Sequence, residues 1–363
     1  MQLRVEGKVG HQHTRASNRR LILQLLFRSK SYSRADLARL TGLTPATVSS
    51  LVASLIDEGL VFEDGLTPVK VGKPSKRLKL NGSAFTSICV DLSSNSELRV
   101  AALDLNGRQV CRSSSDLSGV SGRDVLELAV GSISETIPNI NGPILGIGVG
   151  TPGIVGPTGM VIEASNLGLY DFNLSKELQN LFDLPVVISN DANAGVLAEF
   201  SRAEQDIGNM MAIKIGIGVG AGIILNGNLH LGETSAVGEI GHVVVEDDGP
   251  PCRCGNRGCL ETFLSISALR AAVDDEALLE IIGQRLGRAL GSLVSVLGIH
   301  NIVVLETGIP IQSKMCEIAL AFLRKSTLKY LGEKVDIRPS RLGEDVVLLG
   351  ANISLINHEI GVA

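Results

Sequence analysis

Residues 238–261 read GEIGHVVVEDDGPPCRCGNRGCLE, and the last ten of them hold three of the chain's six cysteines, with a glutamate two residues after the third. No other paired cysteine motif occurs: Cys89, Cys111 and Cys316 each stand alone among apolar neighbours and read as ordinary core thiols. The N-terminal MQLRVEGKVGHQH lacks the apolar stretch of a secretory signal, and no uninterrupted apolar run of about 18 residues follows, so the chain is read as cytoplasmic and without a membrane partner. In that reducing compartment a cysteine cluster is a metal site or a reactive site before it is a disulfide framework.

Working outward, 363 residues with 44% hydrophobic content are enough for two or three domains with real cores. The net charge of −5 is unevenly spread. Residues 1–80 carry 14 Lys and Arg against 6 Asp and Glu, and the remainder 19 against 32, so a basic N-terminal module joins an acidic body. In that module NRRLILQLLFRSK repeats Leu21, Ile22, Leu25 and Leu26 at helical spacing, predicting a first helix with one buried face. Ser33 and Asp36 form a capping box for a second helix, TGL makes a tight turn, and Thr44 caps a third helix with Pro45 at its first position. Along that third helix Val48, Leu51, Val52 and Leu55 face inward, leaving Ala46, Thr47, Ser49, Ser50 and Ala53 outside. LVFEDG and RLKLN then read as the two strands of a wing, so residues 1–82 are expected to be a winged helix-turn-helix. An ordinary three-helix packing unit has the same periodicity. The outer face favours DNA, since short hydroxyls and methyls at Thr44, Ala46, Thr47, Ser49 and Ser50 let a helix N-terminus approach base edges. Phosphate contacts would come from Arg15, Arg19 and Arg20, and from VGKPSKRLK with Lys70, Lys73, Lys76, Arg77 and Lys79; Gly72, Lys73 and Pro74 also suit a minor groove.

Residues 83–363 change to buried strands and Gly-rich turns, alternating with helical patterns at 265–273, 276–299 and about 311–331, which predicts an α/β body of two lobes with a cleft between them. The motifs GVGTPGIVG (148–156), NDANA (190–194), GVGAGI (218–223), GEIGH (238–242) and CRCGNRGCLE (252–261), taken in order, resemble those of the ROK family of repressors and sugar kinases. The likeness is greatest to the branch that includes the N-acetylglucosamine and glucose repressors, which joins a winged helix to the sugar-binding body. It implies an actin-like, sugar kinase/ribonuclease H-like fold.

The resemblance implies a zinc site at His242, Cys252, Cys254 and Cys259, and one imidazole with three thiolates is a set that tetrahedral Zn2+ takes in a closed structural site. It also implies sugar binding by Glu239, His242, Glu261, Asn190 and Asp191, with Asn166 of EASNLGLYDF beside them. Carboxylates and amides suit vicinal hydroxyls because they accept and donate at fixed angles. His242 is then expected to hold the metal through one ring nitrogen and face the ligand with the other.

Asp191 matches the general base of the family's kinases, but the nucleotide side departs from their pattern. The kinases cradle phosphates with Asp-x-Gly-Gly-Thr; here DLSSNS keeps Asp91 and places Ser93, Ser94 and Asn95 where backbone must approach phosphate. Ile217 stands where a hydroxyl is expected, and Glu306 and Thr307 where a glycine pair would flank adenine. The reading is a repressor, not an enzyme, that binds operator DNA as a homodimer or homotetramer and senses a sugar or sugar phosphate. A sugar kinase fused to a DNA-binding module is the alternative.

Overall fold

The computed structural model describes residues 11–28, 31–66, 75–203, 207–305 and 307–361. Lys70, Gly72, Lys73, Pro74 and Glu306 lie outside the described residues.

The N-terminal module runs α1 (His11–Arg28), β1 (Tyr32–Ser33), α2 (Arg34–Thr41), α3 (Pro45–Asp57), β2 (Val61–Leu66) and β3 (Lys76–Leu80). Its punctuation is local. The Ser33 hydroxyl accepts from the Asp36 amide while the Asp36 carboxylate accepts from the Ser33 amide, and Gly42 ends α2 at φ 69°. Thr44 caps α3 by accepting from the Thr47 amide, with Pro45 at the first helical position. The wing is β2 against β3, and β1 adds to the other edge of β3. Ile22, Leu23, Leu26, Leu37, Val48, Leu51, Val52 and Leu55 form the core under these elements. One expectation is corrected: Leu21 is 43% exposed, and Leu23 takes its place inside. Where three apolar residues are adjacent, as at Leu21–Leu23, periodicity cannot choose the stripe; the partner surface does, and here that surface includes the body's Leu105, Ile356 and Ile360.

The body's first half contains β4 (Thr86–Asp91), β5 (Glu97–Asp104), β6 (Gln109–Asp116), α4 (Arg123–Thr136), β7 (Ile144–Thr151), β8 (Ile154–Val155), β9 (Val161–Ala164), β10 (Leu169–Phe172), α5 (Leu174–Phe182), β11 (Val186–Asn190) and α6 (Asp191–Ser201). The second half contains β12 (Met210–Ile215), β13 (Val219–Leu225), β14 (Asn228–Leu229), α7 (Leu260–Phe263), α8 (Ile266–Ala271), α9 (Glu276–Leu297), β15 (Asn301–Val304), α10 (Gln312–Ser326), α11 (Lys329–Gly332), β16 (Asp336–Pro339) and α12 (Val346–Glu359). Each half has one five-stranded sheet, ordered β11-β7-β4-β5-β6 and β14-β13-β12-β15-β16. In both, three strands joined as antiparallel hairpins are extended by two parallel strands from later in the chain. This duplicated topology is the two-lobed actin-like arrangement.

α6 and α12, which each follow the last strand of a sheet, pack against each other closely. A Cβ on Gly350 of α12 would lie 1.8 Å from the Ala194 carbonyl oxygen of α6, so only glycine allows that approach. A second correction concerns the pattern at 311–331, which is two helices and not one. The Ser326 and Thr327 hydroxyls turn back to the Phe322 and Leu323 carbonyls, and Thr327 is extended at φ −119°, ψ 167°.

Candidate functional site

The GEIGH loop and the cysteine loop are folded onto the second lobe. The Leu260 amide donates to the Val243 carbonyl, Val244 bridges Cys259, and Ile240, Val245 and Leu260 enter the core under β12 and β13. Gly238, at φ 100°, lets the loop pass so near β13 that a Cβ would meet the Ala221 carbonyl at 1.8 Å. This brings His242, Cys252, Cys254 and Cys259 together, with one ligand atom from each lying within 4.8 Å of all the others.

The spacing fits a tetrahedral ion. Zn–S bonds of about 2.3 Å and a Zn–N bond of about 2.0–2.1 Å require S···S edges of about 3.8 Å and N···S edges of about 3.6 Å. Cys254 Sγ and Cys259 Sγ are 3.7 Å apart, and His242 Nδ1 is 3.6 Å from Cys252 Sγ. Nδ1 therefore faces the cluster while Nε2 faces away, 4.0 Å from Glu239 Oε2.

Beyond His242 a cavity of about 550 Å³ opens between the lobes, lined by Gly153, Glu163, Asn166, Glu239, His242 and Arg253 among others. It runs on into a narrower space bordered by Asn190, Asp191, Lys214, Gly218 and Glu261. Each residue expected to bind sugar thus lines one connected cleft. Their commitments differ. Asn190 caps α6, its Oδ1 accepting from the Ala192 and Asn193 amides while its Nδ2 donates to the Gly153 carbonyl, so one Nδ2 hydrogen is left for a ligand. The Glu261 carboxylate accepts from the Val219 amide and from Arg253, and Asn166 Oδ1 accepts from Arg253 as well. Sequence reasoning missed Arg253, Lys214 and Glu163. Arg253 sits between two metal ligands, where alternation places its side chain off the metal; Lys214 and Glu163 carried no local signal.

Burial, with the Asp91 charge adding to it and Lys214 opposing, pushes the Asp191 carboxyl up to about 6. Burial also raises Glu239, with Glu261 and Glu163 adding to the effect against His242 and Arg253. A carboxyl raised on folding binds its proton more tightly in the native state. Ionised Asp191 therefore lowers stability fully above pH of about 6, and the penalty fades as pH falls towards about 4. Asp191→Asn is expected to stabilise the protein at pH 7.5 by up to roughly 3 kcal/mol, less whatever Lys214 loses, and to show no advantage near pH 4. Urea titrations at the two pH values measure this; an equal effect at both would show that ionisation is not the cause.

A second space of about 740 Å³ lies past Glu261, lined by Ser93–Ser96, Lys214, Gly216, Ile217, Arg270 and Thr307. Its phosphate-side loop is closed on itself. Asp91 is buried against Arg99 at 2.5 Å, its other oxygen accepts from the Ser93 amide, and the Ser94 hydroxyl accepts from the Ser96 and Glu97 amides. Ile217 is exposed, and Thr307 is held by Gln312 through both amide and hydroxyl.

On the DNA side, Ala46, Ser49 and Ser50 are exposed on α3, and Thr47 is half-buried. The Thr44 and Thr47 hydroxyls lie 2.9 Å apart. Lys76 and Lys79 on β3 pair with Glu63 and Asp64 of the facing strand, and Arg19 pairs with Glu58; Arg77 is exposed.

Comparison with known proteins follows the same outline. The ROK family profile matches residues 87–278, and a winged helix-turn-helix DNA-binding profile matches 15–61. The xylose repressor of Bacillus spizizenii is 30% identical over 95% of this chain and 96% of its own length. A crystal structure of a ROK family transcriptional regulator, a homolog of the E. coli MLC protein, superposes with a TM-score of 0.83 at 24% identity, covering 96% of this chain and 98% of that one. The ROK hexokinase from Thermus thermophilus covers 74% of this chain and 97% of its own at a TM-score of 0.63 and 26% identity, so the body is of sugar kinase type. With the family profile matching more than half of its residues and a repressor aligned along nearly all of its length, the chain belongs to the ROK family.

Proposed function

We propose that the chain is a DNA-binding transcriptional repressor whose cleft senses a neutral sugar and whose body transfers no phosphate. The observation that carries this reading is the fusion of a winged helix, through a shared core, to a sugar kinase-type body whose phosphate loop is shut by the buried Asp91–Arg99 pair. Glu163, Asp191, Glu239 and Glu261 crowd the cleft against Lys214 and Arg253, which supports an uncharged ligand over a phosphorylated one. The similarity to a xylose repressor supports D-xylose as the first effector to test. In this reading His242, Cys252, Cys254 and Cys259 hold one structural Zn2+, since four protein ligands leave no open position for a catalytic water. Residues 1–82 carry the DNA contacts: Thr44, Ala46, Thr47, Ser49 and Ser50 at base edges, with Lys73, Lys76 and Arg77 at phosphates. A module of this size reads few base pairs, so two copies in a homodimer or homotetramer on a two-fold site supply specificity.

Operator binding measured by fluorescence anisotropy should weaken when D-xylose is added and fall steeply with salt, with a log–log slope of about −0.9 per phosphate contact. Arg77→Ala is expected to weaken all sequences alike, and Lys76→Ala less so because Glu63 already engages that lysine. Sugar-dependent ATP turnover near the usual enzyme range of about 1 per second or more would return the protein to the kinases.

A further inference from the structure

Arg253 occupies the place where sugar hydroxyls are expected. Its Nε lies 3.0 Å from Glu261 Oε1 and its Nη2 3.2 Å from Glu261 Oε2, a forked pair, and its Nη1 donates to Asn166 Oδ1 at 3.2 Å. The two acceptors belong to opposite lobes. Asn166 sits in the turn Ser165–Leu167, beside Ala164 and Leu167 of the first lobe's core, whereas Glu261 follows Cys259 beside Leu260 of the second lobe's core. The pair also packs closely against Gly218, since a Cβ there would come within 2.6 Å of Glu261 Oε2 and 2.9 Å of Arg253 Nη2.

Counting acceptor sites shows the conflict. A carboxylate offers about four lone-pair positions. Glu261 already takes the two guanidinium donors and the Val219 amide, and Asn166 Oδ1 takes a third guanidinium donor. One position is left on Glu261, so a sugar that donates two hydroxyls to it cannot bind while the fork is in place, although Asn166 Oδ1 keeps a second lone pair.

We propose that Arg253 is the specificity-determining latch of the effector cleft: it ties Asn166 to Glu261 across the cleft, and only a ligand with adjacent hydroxyl donors displaces it from Glu261. This rests on the sugar-sensing reading for its ligand, whereas the contacts of Arg253 with Asn166 and Glu261 stand apart from it. The side chain is suited to moving, being 49% exposed, while Glu261 is held in place at 11%. Displacement returns the guanidinium to solvent, where it is well hydrated. A monodeoxy sugar lacking one of the adjacent hydroxyls leaves an acceptor unpaired and does not complete the exchange.

The test uses the full chain and the variants R253A and R253K, with zinc content and circular dichroism as the check on folding. In the sugar-free protein, backbone hydrogen exchange of the 163–168 segment should quicken in R253A, because the far lobe loses its tie. Calorimetry with D-xylose, D-glucose and N-acetylglucosamine should give R253A an affinity about twofold to fivefold higher than wild type, the size expected of a partly exposed charged pair, with R253K between them. Wild-type affinity for the neutral sugar should also rise with salt, and R253A should lose that dependence. Unchanged exchange, or weaker sugar binding by R253A, overturns the latch; weaker binding would make Arg253 a sugar contact. If none of the three sugars binds wild type, the sugar-sensing reading fails, and the exchange measurement still decides whether Arg253 closes the cleft.

Discussion

Replacing Cys259 with serine is expected to remove the bound metal, about one Zn2+ per chain by mass spectrometry, and to abolish any effect of sugar on operator binding. Cys259 is fully buried, its backbone bridges Val244, and its carbonyl accepts from the Thr262 hydroxyl, so the ligand sulfur is anchored in the second lobe's core. Three consequences follow from losing it. A serine hydroxyl is not a thiolate, and a three-ligand site binds far more weakly. The His242 imidazole is then free to turn, and with it Glu239, whose Oε2 lies 4.0 Å from His242 Nε2. Glu261, two residues beyond Cys259 at the start of α7, loses the anchor that sets its direction. Structural Zn2+ contributes an apparent 10 kcal/mol or more in small zinc modules, on the order of a whole domain's stability. Here the lobe's apolar core is large, so local loosening of 238–263 is expected rather than global unfolding, together with a lowered melting temperature. Wild type stripped with a chelator should reproduce the variant. Full metal content in Cys259→Ser, or an intact sugar response without metal, would falsify the ligand assignment or the coupling respectively.

How far the sequence could be read depended on the range of each interaction. Caps are local: Ser33 with Asp36 and Thr44 with Thr47 lie within one helical turn, and they framed the winged helix correctly. The gathering of His242 with the three cysteines was legible because the cysteines fall within eight positions and the chemistry of thiolates restricts what they can hold. The shut phosphate loop was half legible. Missing glycines were visible, whereas the Arg99 that neutralises Asp91 needs the β4–β5 register, in which these two residues face each other. Arg253 was not legible as a sugar-site residue, because both of its acceptors are set by how the lobes meet. Leu21 failed for a related reason, since α1 chooses its buried stripe against residues more than 300 positions away.

That distant contact is the basis of the second large effect: Ile356→Ala should leave sugar affinity unchanged while erasing the influence of sugar on operator binding. α12 begins over the cleft-side strands and ends inside the DNA-binding module. Gly350 rests on the Ala194 carbonyl one turn into α6, the helix that starts with Asp191, and Ser354 Oγ bonds Ser189 Oγ at 3.0 Å, next to Asn190. Two residues further on, Ile356, 1% exposed, and then Ile360 just past the end of α12, join the core of Ile22, Leu23 and Leu26 in α1. A helix packed backbone to backbone at one end moves as a body, so any shift of α6 on sugar binding reaches α1 directly. Truncating a buried isoleucine to alanine costs about 2–5 kcal/mol and leaves a cavity at this junction alone. Typical coupling between sites is only about 1–3 kcal/mol, so a slack of that size at the junction is enough to absorb it. By reciprocity, operator DNA is expected to weaken sugar binding in wild type by whatever factor sugar weakens operator binding, and both factors should approach one in the variant. Sugar titrations with and without saturating operator measure it. A variant that keeps the full wild-type ratio would show that the signal reaches the winged helix by another route, with the Asn226–Asn228 turn, which borders the groove under Leu21, Leu25 and Leu40, as the next contact to cut.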